Sequence, residues 1–134
     1  MARNFLLDTS VLLAAVLDPD RLPEKIQRIL VDPQNSVWFS AASIWEIAIK
    51  TSLARADFDF RPEDIHALAL GSPFSELPVE AAHTYAVATL PWHHKDPFDR
   101  LLVAQAMTLP AYLLTTDQSL GQYSPLVQTL SWNP

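Results

Sequence analysis

Short apolar runs typical of strands alternate with helical patterns along the chain, and this alternation constrains the fold more than any other feature. The strand-like runs lie at residues 5–7, 37–39, 74–79, 111–114 and 127–130. Helical spacing of apolar residues marks the segments 11–17, 23–30, 41–54, 62–70, 80–90 and 97–108. Since parallel strands are joined by helical crossovers, this order predicts an α/β fold with a short parallel central sheet, covered by helices on both faces.

Capping and turn residues predict where these elements begin and end. Thr9 or Ser10 is expected to cap the first helix, and Gly71 to end the fourth. Residues 57–60 are expected to form a short extended piece. A turn at residues 115–117 is expected to lead into a weak helix near Ser119.

The size and composition of the chain limit its architecture and its setting. With 134 residues, 49% of them apolar, the chain can build one sizeable core, and we expect a single domain over residues 1–134. Cysteine is absent, which excludes disulfides, zinc–thiolate sites and cysteine nucleophiles and fits a reducing cytoplasm. Asp8 interrupts the N-terminal apolar stretch, and no uncharged run is long enough to cross a bilayer. We therefore expect a cytoplasmic protein with no signal peptide and no membrane association.

The charge balance argues against general binding of nucleic acids. Nine Lys and Arg residues against 15 Asp and Glu residues leave a net charge of −6, which repels a polyanion at long range. Any nucleic-acid chemistry must therefore use local cations.

Carboxylates stand at the ends of predicted strands and at the starts of helices. Asp8 and Asp117 follow the first and fourth strand-like runs, Asp96 and Asp99 bracket the start of the sixth helix, and Glu46 lies within an apolar helical segment. Because ligands bind in the crevice outside the carboxyl ends of parallel strands, we expect these acids to converge there. Converging carboxylates repel each other unless a cation is present, and oxygen ligands without cysteine suit Mg²⁺ or Mn²⁺.

Each acid also has a purely structural interpretation. Asp8, Asp99 and Asp117 could cap helix amides, a role that contributes about 0.5–2 kcal/mol. Glu46 could form an ordinary ion pair with Lys50, four residues later, worth about 0.2–0.5 kcal/mol. Only the joint placement of the acids favours a cation site over these local roles.

Other motifs narrow the chemistry further. The adjacent residues His93 and His94 lack the helical spacing and the cysteine partners of a zinc site, so we expect them to position Asp96 or to touch a substrate phosphate. The sequence has no glycine-rich phosphate loop, no G-x-S-x-G turn and no G-x-G-x-x-G motif. Their absence excludes P-loop, α/β-hydrolase and dinucleotide-binding functions.

Four segments are distinctive in their order and spacing: FLLDTS at 5–10, SIWEIAIK at 43–50, HHKDPFDRLLVAQA at 93–106 and LLTTD at 113–117. Together they resemble the PIN domain family and, within it, the VapC-type ribonuclease toxins of prokaryotic toxin–antitoxin pairs. The resemblance covers nearly the whole chain. It departs from the subgroup after Lys50, where a glycine near the helix end is usual and Leu53-Ala54-Arg55 stands instead.

The resemblance implies a PIN-like (Rossmann-like) three-layer α/β/α sandwich and an endoribonuclease that depends on Mg²⁺ or Mn²⁺. Matched position by position, it implies a catalytic and metal-binding site of four acids, Asp8, Glu46, Asp99 and Asp117. Residues expected to support this site are Asp96, Thr116 and Ser10. Residues expected to contact substrate phosphates are Lys50, Lys95 and Arg100.

The implied reaction is hydrolysis of RNA phosphodiesters by metal-activated water. Asp8, Asp99 and Asp117 would hold the metal, and Glu46 would bind a metal or orient its water. Attack by an external water predicts a 3′-hydroxyl and a 5′-phosphate. Two alternatives stay open: a PIN nuclease that acts in RNA processing or on structured DNA without a toxin role, and a catalytically silent PIN binding module. A haloacid-dehalogenase-like phosphatase is disfavoured because it needs an acid where Ser10 stands.

A toxin implies partners as well as a reaction. We expect an RNA substrate and a small cognate antitoxin whose C-terminal segment packs into an apolar groove formed around residues 11–17 and 44–53. The same residues could equally be buried in the core. Assembly as a homodimer or as a toxin–antitoxin hetero-oligomer is also expected.

Overall fold

Five short parallel strands form the centre of the structure, a computed structural model that describes residues 2–53 and 58–134. The strands are β1 (Asn4–Leu7), β2 (Ser36–Ser40), β3 (Phe74–Leu77), β4 (Tyr112–Thr115) and β5 (Val127–Thr129). Their order across the sheet is β3-β2-β1-β4-β5, and all neighbouring pairs are parallel. The predicted parallel sheet is confirmed, with β1 at its centre.

The described helices match the six predicted segments to within a few residues at each end. They are α1 (Thr9–Leu17), α2 (Glu24–Val31), α3 (Ala41–Ser52), α4 (Pro62–Gly71), α5 (Ala81–Ala88) and α6 (Pro97–Thr108). Two short 3₁₀ turns, Pro19–Arg21 and Gln118–Gln122, accompany them, and the second is the weak helix predicted near Ser119. Among the described residues, no helix is long and apolar enough to cross a bilayer.

Two sequence predictions lie partly outside the described residues. The predicted end of the third helix at residue 54 is one, and residue 57 of the predicted extended piece is the other. The rest of that piece, residues 58–60, has no regular secondary structure.

Helices cover both faces of the sheet. On one face α1, α2 and α4 form a core with Phe5, Leu7 and Phe39 of the strands. On the other face α6 and the partly buried residues of α5 pack with Leu6 and Leu113. Consecutive residues of β1 therefore enter opposite cores, as the two-residue period of a strand buried on both faces requires. The arrangement confirms the predicted three-layer α/β/α sandwich.

The first helix has a different cap from the predicted one. Asp8, rather than Thr9 or Ser10, is the N-cap of α1, and its Oδ1 accepts a hydrogen bond from the Val11 amide at 2.9 Å. The prediction was wrong because β1 ends at Leu7 and leaves only Asp8 between strand and helix. The carboxylate that ends the strand therefore also starts the helix.

The strand order defines a crevice beside Asp8. From β1 the chain proceeds to β2 on one side, and it later returns to β4 on the other side, so the order reverses at β1. Open α/β sheets bind their ligands outside the carboxyl ends of the strands at such a reversal.

Candidate active site

A cavity of about 290 Å³ lies at the carboxyl ends of the central strands. Eight residues singled out from the sequence line it: Asp8, Ser10, Glu46, Lys50, Asp96, Asp99, Thr116 and Asp117. Five of these side chains are carboxylates, and only one, among the described residues lining the cavity, is a cation. The lining therefore carries a large excess of acidic over basic groups.

Asp8 is buried between the start of α1 and the end of β4. Its Oδ1 accepts hydrogen bonds from the Val11 amide and, at 3.1 Å, from the Ser10 hydroxyl, while its Oδ2 accepts one from the Thr115 hydroxyl. Burial nevertheless raises the pKa of Asp8 above its usual value, and the nearby Glu46 carboxylate adds to the rise. Burial thus penalises the charged form of Asp8, and a nearby positive charge would offset that penalty.

Thr115 is the first residue in contact with the acids that the sequence analysis did not select; it selected Thr116 instead. The buried Thr115 hydroxyl donates to Asp8 and accepts a hydrogen bond from the Asp117 amide at 3.0 Å. Thr116 lines the cavity, but within the described part of the chain no hydrogen bond joins its side chain to an acid. The two-residue period of β4 is the signal that identifies Thr115, because it places Thr115 on the same side of the strand as Leu113.

Asp117 follows β4 and caps the second 3₁₀ turn. Its Oδ1 accepts hydrogen bonds from the Ser119 amide at 3.0 Å and the Ser119 hydroxyl at 2.6 Å, and its Oδ2 lies 2.9 Å from Nε2 of His94. The Ser119 side-chain and backbone hydrogen bonds hold the pKa of Asp117 below its usual value. Asp117 therefore brings a stable negative charge to the cavity.

Glu46 projects from α3 toward the start of α1. Its Oε1 accepts a hydrogen bond from the Thr9 hydroxyl at 2.6 Å, and its Oε2 pairs with Nζ of Lys50 at 2.8 Å. Thr9, which also lies 3.0 Å from the Ser43 hydroxyl, is the second residue that the sequence did not reveal. The Glu46 side chain is 12% exposed and that of Lys50 46%, so the acid is inside the cavity and the ammonium group faces solvent. The predicted ion pair between Glu46 and Lys50 is present, and Glu46 also lines the cavity.

The N-terminus of α6 carries two acids in different surroundings. Asp96 is the N-cap, and its Oδ1 accepts hydrogen bonds from the amides of Phe98 at 2.8 Å and Asp99 at 3.3 Å. Across residues 2–53 and 58–134, no donor forms a hydrogen bond with the Asp99 carboxylate. Burial, together with the neighbouring Asp96 carboxylate, raises the pKa of Asp99 to about 7. A positive partner would stabilise the charged form of Asp99.

Several of these groups lie close enough to share one cation. Three potential ligand atoms, one each from His94, Asp99 and Asp117, lie within 4.8 Å of one another. Asp8 and Glu46 are not part of this group, although their carboxylates are near enough to contribute to the raised pKa of Asp99. An oxygen-rich group without cysteine fits Mg²⁺ or Mn²⁺ better than a thiophilic metal.

The predicted contact between the histidine loop and Asp96 is present. The Asp96 amide donates to Nδ1 of His94 at 3.1 Å. His93 is exposed, and its ring packs edge-on against Tyr123 with a centroid distance of 5.0 Å. Of the two histidines, only His94 reaches the acids.

Two of the three expected phosphate contacts do not line the acidic cavity. Lys95 and Arg100 line a separate depression of about 240 Å³. The Arg100 guanidinium is buried, donates to the carbonyls of Pro91 at 2.9 Å and Val87 at 3.2 Å, and lies 3.9 Å from the Trp92 ring centroid. Its hydrogen-bonding capacity is directed at the protein, so its placement does not support a contact with substrate.

The fold and the site together define a class: an α/β sandwich with a candidate divalent-cation site where its parallel sheet reverses order. The sequence matches the family model of the PIN domain over residues 5–124. The chain therefore belongs to the PIN domain family, whose members are generally nucleases.

Several solved structures share this fold at low sequence identity. VapBC2 from Rickettsia felis, bound to a DNA fragment from their promoter, has a TM-score of 0.68 at 16% identity, covering 97% of this chain and 99% of that chain. DNA-bound VapBC from Salmonella typhimurium has a TM-score of 0.65 at 16% identity, covering 95% of this chain and 96% of that chain. VapBC-1 from nontypeable Haemophilus influenzae has a TM-score of 0.62 at 16% identity, covering 89% of this chain and 90% of that chain. At this identity the likeness concerns the fold alone. No curated protein matches the sequence.

Proposed function

We propose that residues 1–134 form one PIN domain that acts as a Mg²⁺-dependent endoribonuclease, with Mn²⁺ as an alternative metal, and as the toxin of a VapBC-type toxin–antitoxin pair. The observation that carries this proposal is the convergence of five carboxylates on one cavity, among which Asp99 has no hydrogen-bond donor in the described residues. Carboxylates held close together raise each other's pKa, and a bound cation relieves their repulsion without protonation. Membership of a family that generally contains nucleases supports the reaction class.

Asp8, Asp99 and Asp117 are proposed to hold the cation, and Glu46 to bind it or to orient its water. When bound, the ion supplies a water of lowered pKa and offsets the charge that develops on the scissile phosphate. A carboxylate must be deprotonated to coordinate, and the pKa values of Asp8 and Asp99 are both raised. Metal affinity is therefore expected to rise with pH.

The neighbouring side chains hold the acids in place for this role. The Thr9 hydroxyl contacts one oxygen of Glu46 and Lys50 the other, so the carboxylate is restrained at both ends. Asp96 caps α6 and thereby fixes the turn that presents Asp99. Hydrogen bonds and the ion pair to these neighbours thus restrain Glu46 directly and Asp99 through the start of its helix.

RNA is proposed to bind through local contacts, because the chain has a net charge of −6. Lys50 at the cavity rim and Lys95 outside it are the proposed phosphate contacts. So few cations predict low non-specific affinity and selection of single-stranded or structured sites. Since an external water attacks, the products should carry a 3′-hydroxyl and a 5′-phosphate.

An antitoxin partner is proposed from the fold likeness and from exposed apolar side chains. Three structures that share the fold are described as VapBC. Of the expected groove residues, Val11 and Leu12 on α1 are fully buried, whereas Trp45, Ile49 and Leu53 on α3 and its C-cap are exposed. Their spacing of four residues forms one apolar stripe that suits an amphipathic helix. We propose that the antitoxin docks there. We also propose that the protein is cytoplasmic and assembles as a homodimer or, with the antitoxin, as a hetero-oligomer.

Cleavage of total RNA tests the enzymatic assignment. Wild-type protein with Mn²⁺ should give fragments with 3′-hydroxyl ends, and Glu46→Gln should cleave at least about 100-fold more slowly. Glu24→Gln is the matched control, because it removes an exposed acid that also pairs with a cation four residues later. Unchanged cleavage in excess chelator, or no cleavage by metal-loaded protein, would contradict the assignment.

Expression in cells tests the toxin assignment separately. Expression of the wild-type chain should arrest growth, and co-expression of a short reading frame directly upstream, with a DNA-binding N-terminal region, should relieve the arrest. Normal growth despite an active enzyme would point to RNA processing instead.

A further inference from the structure

His94 occupies a position from which it could either bind the proposed cation or orient a residue that does. Its side chain is 22% exposed, and its Nε2 lies 2.9 Å from Oδ2 of Asp117 and 3.7 Å from Oδ2 of Asp99. Proximity alone does not separate the two roles. The hydrogen bond at the opposite ring nitrogen, Nδ1, separates them.

The backbone amide of Asp96 donates to Nδ1 of His94 at 3.1 Å. An amide nitrogen can only donate, so Nδ1 must be the accepting nitrogen of the ring. A neutral imidazole with Nδ1 as acceptor carries its hydrogen on Nε2. Nε2 therefore donates to Asp117 and has no free lone pair to offer a metal ion.

The backbone of His94 is anchored on both sides by one tyrosine. The Tyr123 hydroxyl accepts a hydrogen bond from the His94 amide at 2.9 Å and donates to the His94 carbonyl at 3.4 Å. It also accepts one from Nη1 of Arg100 at 3.1 Å. The buried Arg100, held by the carbonyls of Val87 and Pro91, thus sets the position of Tyr123, and Tyr123 sets that of the imidazole.

We propose that His94 is a positioning residue that, as the Nε2–H tautomer anchored through Tyr123 and Arg100, orients the Asp117 carboxylate and is not itself a ligand of the cation. This inference rests on the proposed metal-dependent function. Oδ1 of Asp117 is held by Ser119, but in the described residues Oδ2 is held by His94 alone. Loss of this donor frees Oδ2, and loss of such an outer partner typically lowers metal affinity about 10–100-fold.

Nitrogen-detected NMR of the imidazole distinguishes the two roles directly. In metal-free protein the spectrum should show the Nε2–H tautomer of His94. The same tautomer should persist when the protein is saturated with diamagnetic Mg²⁺. Loss of the Nε2 hydrogen on Mg²⁺ addition would overturn the proposal, because it would identify Nε2 as a ligand.

Substitution at His94 provides a second readout through Mn²⁺ binding measured by calorimetry. Gln places an amide N–H near the position of Nε2, so His94→Gln should keep metal affinity close to that of wild type. His94→Ala should lose about 10–100-fold. The matched control His66→Gln removes an imidazole whose Nε2 also pairs with a carboxylate, that of Glu76, outside the acidic cavity, and it should bind like wild type. Equal losses for Gln and Ala at position 94 would contradict a positioning role.

Tyr123→Phe tests the anchor. This variant keeps the ring and removes the hydroxyl, and circular dichroism verifies its fold. Its Mn²⁺ affinity should fall between those of wild type and His94→Ala, whereas unchanged affinity would overturn the role of Tyr123.

The measurements separate this inference from the proposed function, because none uses RNA. Protein that binds metal with the expected tautomer but does not cut RNA contradicts only the enzymatic assignment. Active protein whose His94 loses its Nε2 hydrogen on Mg²⁺ binding contradicts only the inference.

Discussion

The Thr115 hydroxyl donates a hydrogen bond to Oδ2 of Asp8, although the two residues are 107 positions apart in the chain. The β1–β4 register pairs Leu6 with Leu113 and Leu7 with Leu114, and the next pair in that register is Asp8 with Thr115. The Thr115 hydroxyl also accepts a hydrogen bond from the Asp117 amide. One hydroxyl therefore connects the two acids that follow the central strands.

Thr115→Val should weaken metal binding without unfolding the protein. Val matches the shape of Thr but provides no hydroxyl, so it releases Oδ2 of Asp8 and leaves the Asp117 amide without its partner. We expect a loss in Mn²⁺ affinity of about 10–100-fold by calorimetry. Thr115→Ser keeps the hydroxyl and should retain most of the affinity. Similar affinities for the Val and Ser variants would rule out the hydroxyl as the connection.

Asp8→Asn should abolish RNA cleavage and leave the fold intact. Burial raises the pKa of Asp8, so the neutral amide avoids a charge that the metal-free protein holds unfavourably. The melting temperature of the metal-free variant should therefore equal or exceed that of wild type, while cleavage falls at least about 100-fold. Asp20→Asn makes the same change at an exposed position and should leave cleavage unaltered. Near-normal cleavage by Asp8→Asn would remove Asp8 from the site.

Stability of the metal-free protein should fall as pH rises through about 7. The pKa of Asp99 is raised from 3.8 to about 7, so the folded state holds a proton that the unfolded state releases between these values. This contribution is fully present below pH 3.8 and is lost as pH rises through the folded pKa. The pKa of Asp8 is raised too and acts in the same direction, whereas that of Asp117 is lowered and acts only below 3.8.

The Asp99→Asn variant isolates this effect. Urea unfolding at pH 5 to 8, in the presence of chelator, should show a shallower decline for the variant than for wild type. Parallel profiles for the two proteins would contradict the raised pKa of Asp99.

Divalent metal should stabilise the fold, because only the folded chain brings the acids together. At a free metal concentration 100 times the dissociation constant, linkage predicts about 2.7 kcal/mol of stabilisation. For a chain of this size this corresponds to an increase in melting temperature of roughly 10 °C. Chelator should reverse the shift. The double variant Asp99→Asn/Asp117→Asn should show little shift, and an equal shift in that variant would indicate a metal site elsewhere.

The sheet and the placement of the acids could be predicted because both depend on local patterns. Leu6, Leu7, Leu113 and Leu114 are all buried, so their strands are apolar on both sides and stand out as continuous runs. A carboxylate that directly follows such a run, as Asp8 does, must lie at the carboxyl edge of the sheet.

The nearby partners Ser10 and Lys50 were predicted, but other partners of the acids could not be, because they come from distant parts of the chain. Thr9 lies 37 positions from Glu46, and no local pattern indicates that this hydroxyl faces an acid. Arg100 follows Asp99 directly and was expected to face the substrate. Its position on α6 instead turns it toward the carbonyls of Val87 in α5 and of Pro91 after it, which accept hydrogen bonds from the buried guanidinium.

The parallel pairing of β1 with β4 also has a consequence for biosynthesis. At about 5–20 residues per second, a ribosome needs roughly 5–20 s to proceed from Asp8 to Thr115. A nascent chain therefore emerges with its first acid long before the strand that completes the pocket has been made. The proposed ribonuclease site is therefore incomplete, and unable to cut its own messenger RNA, during most of translation.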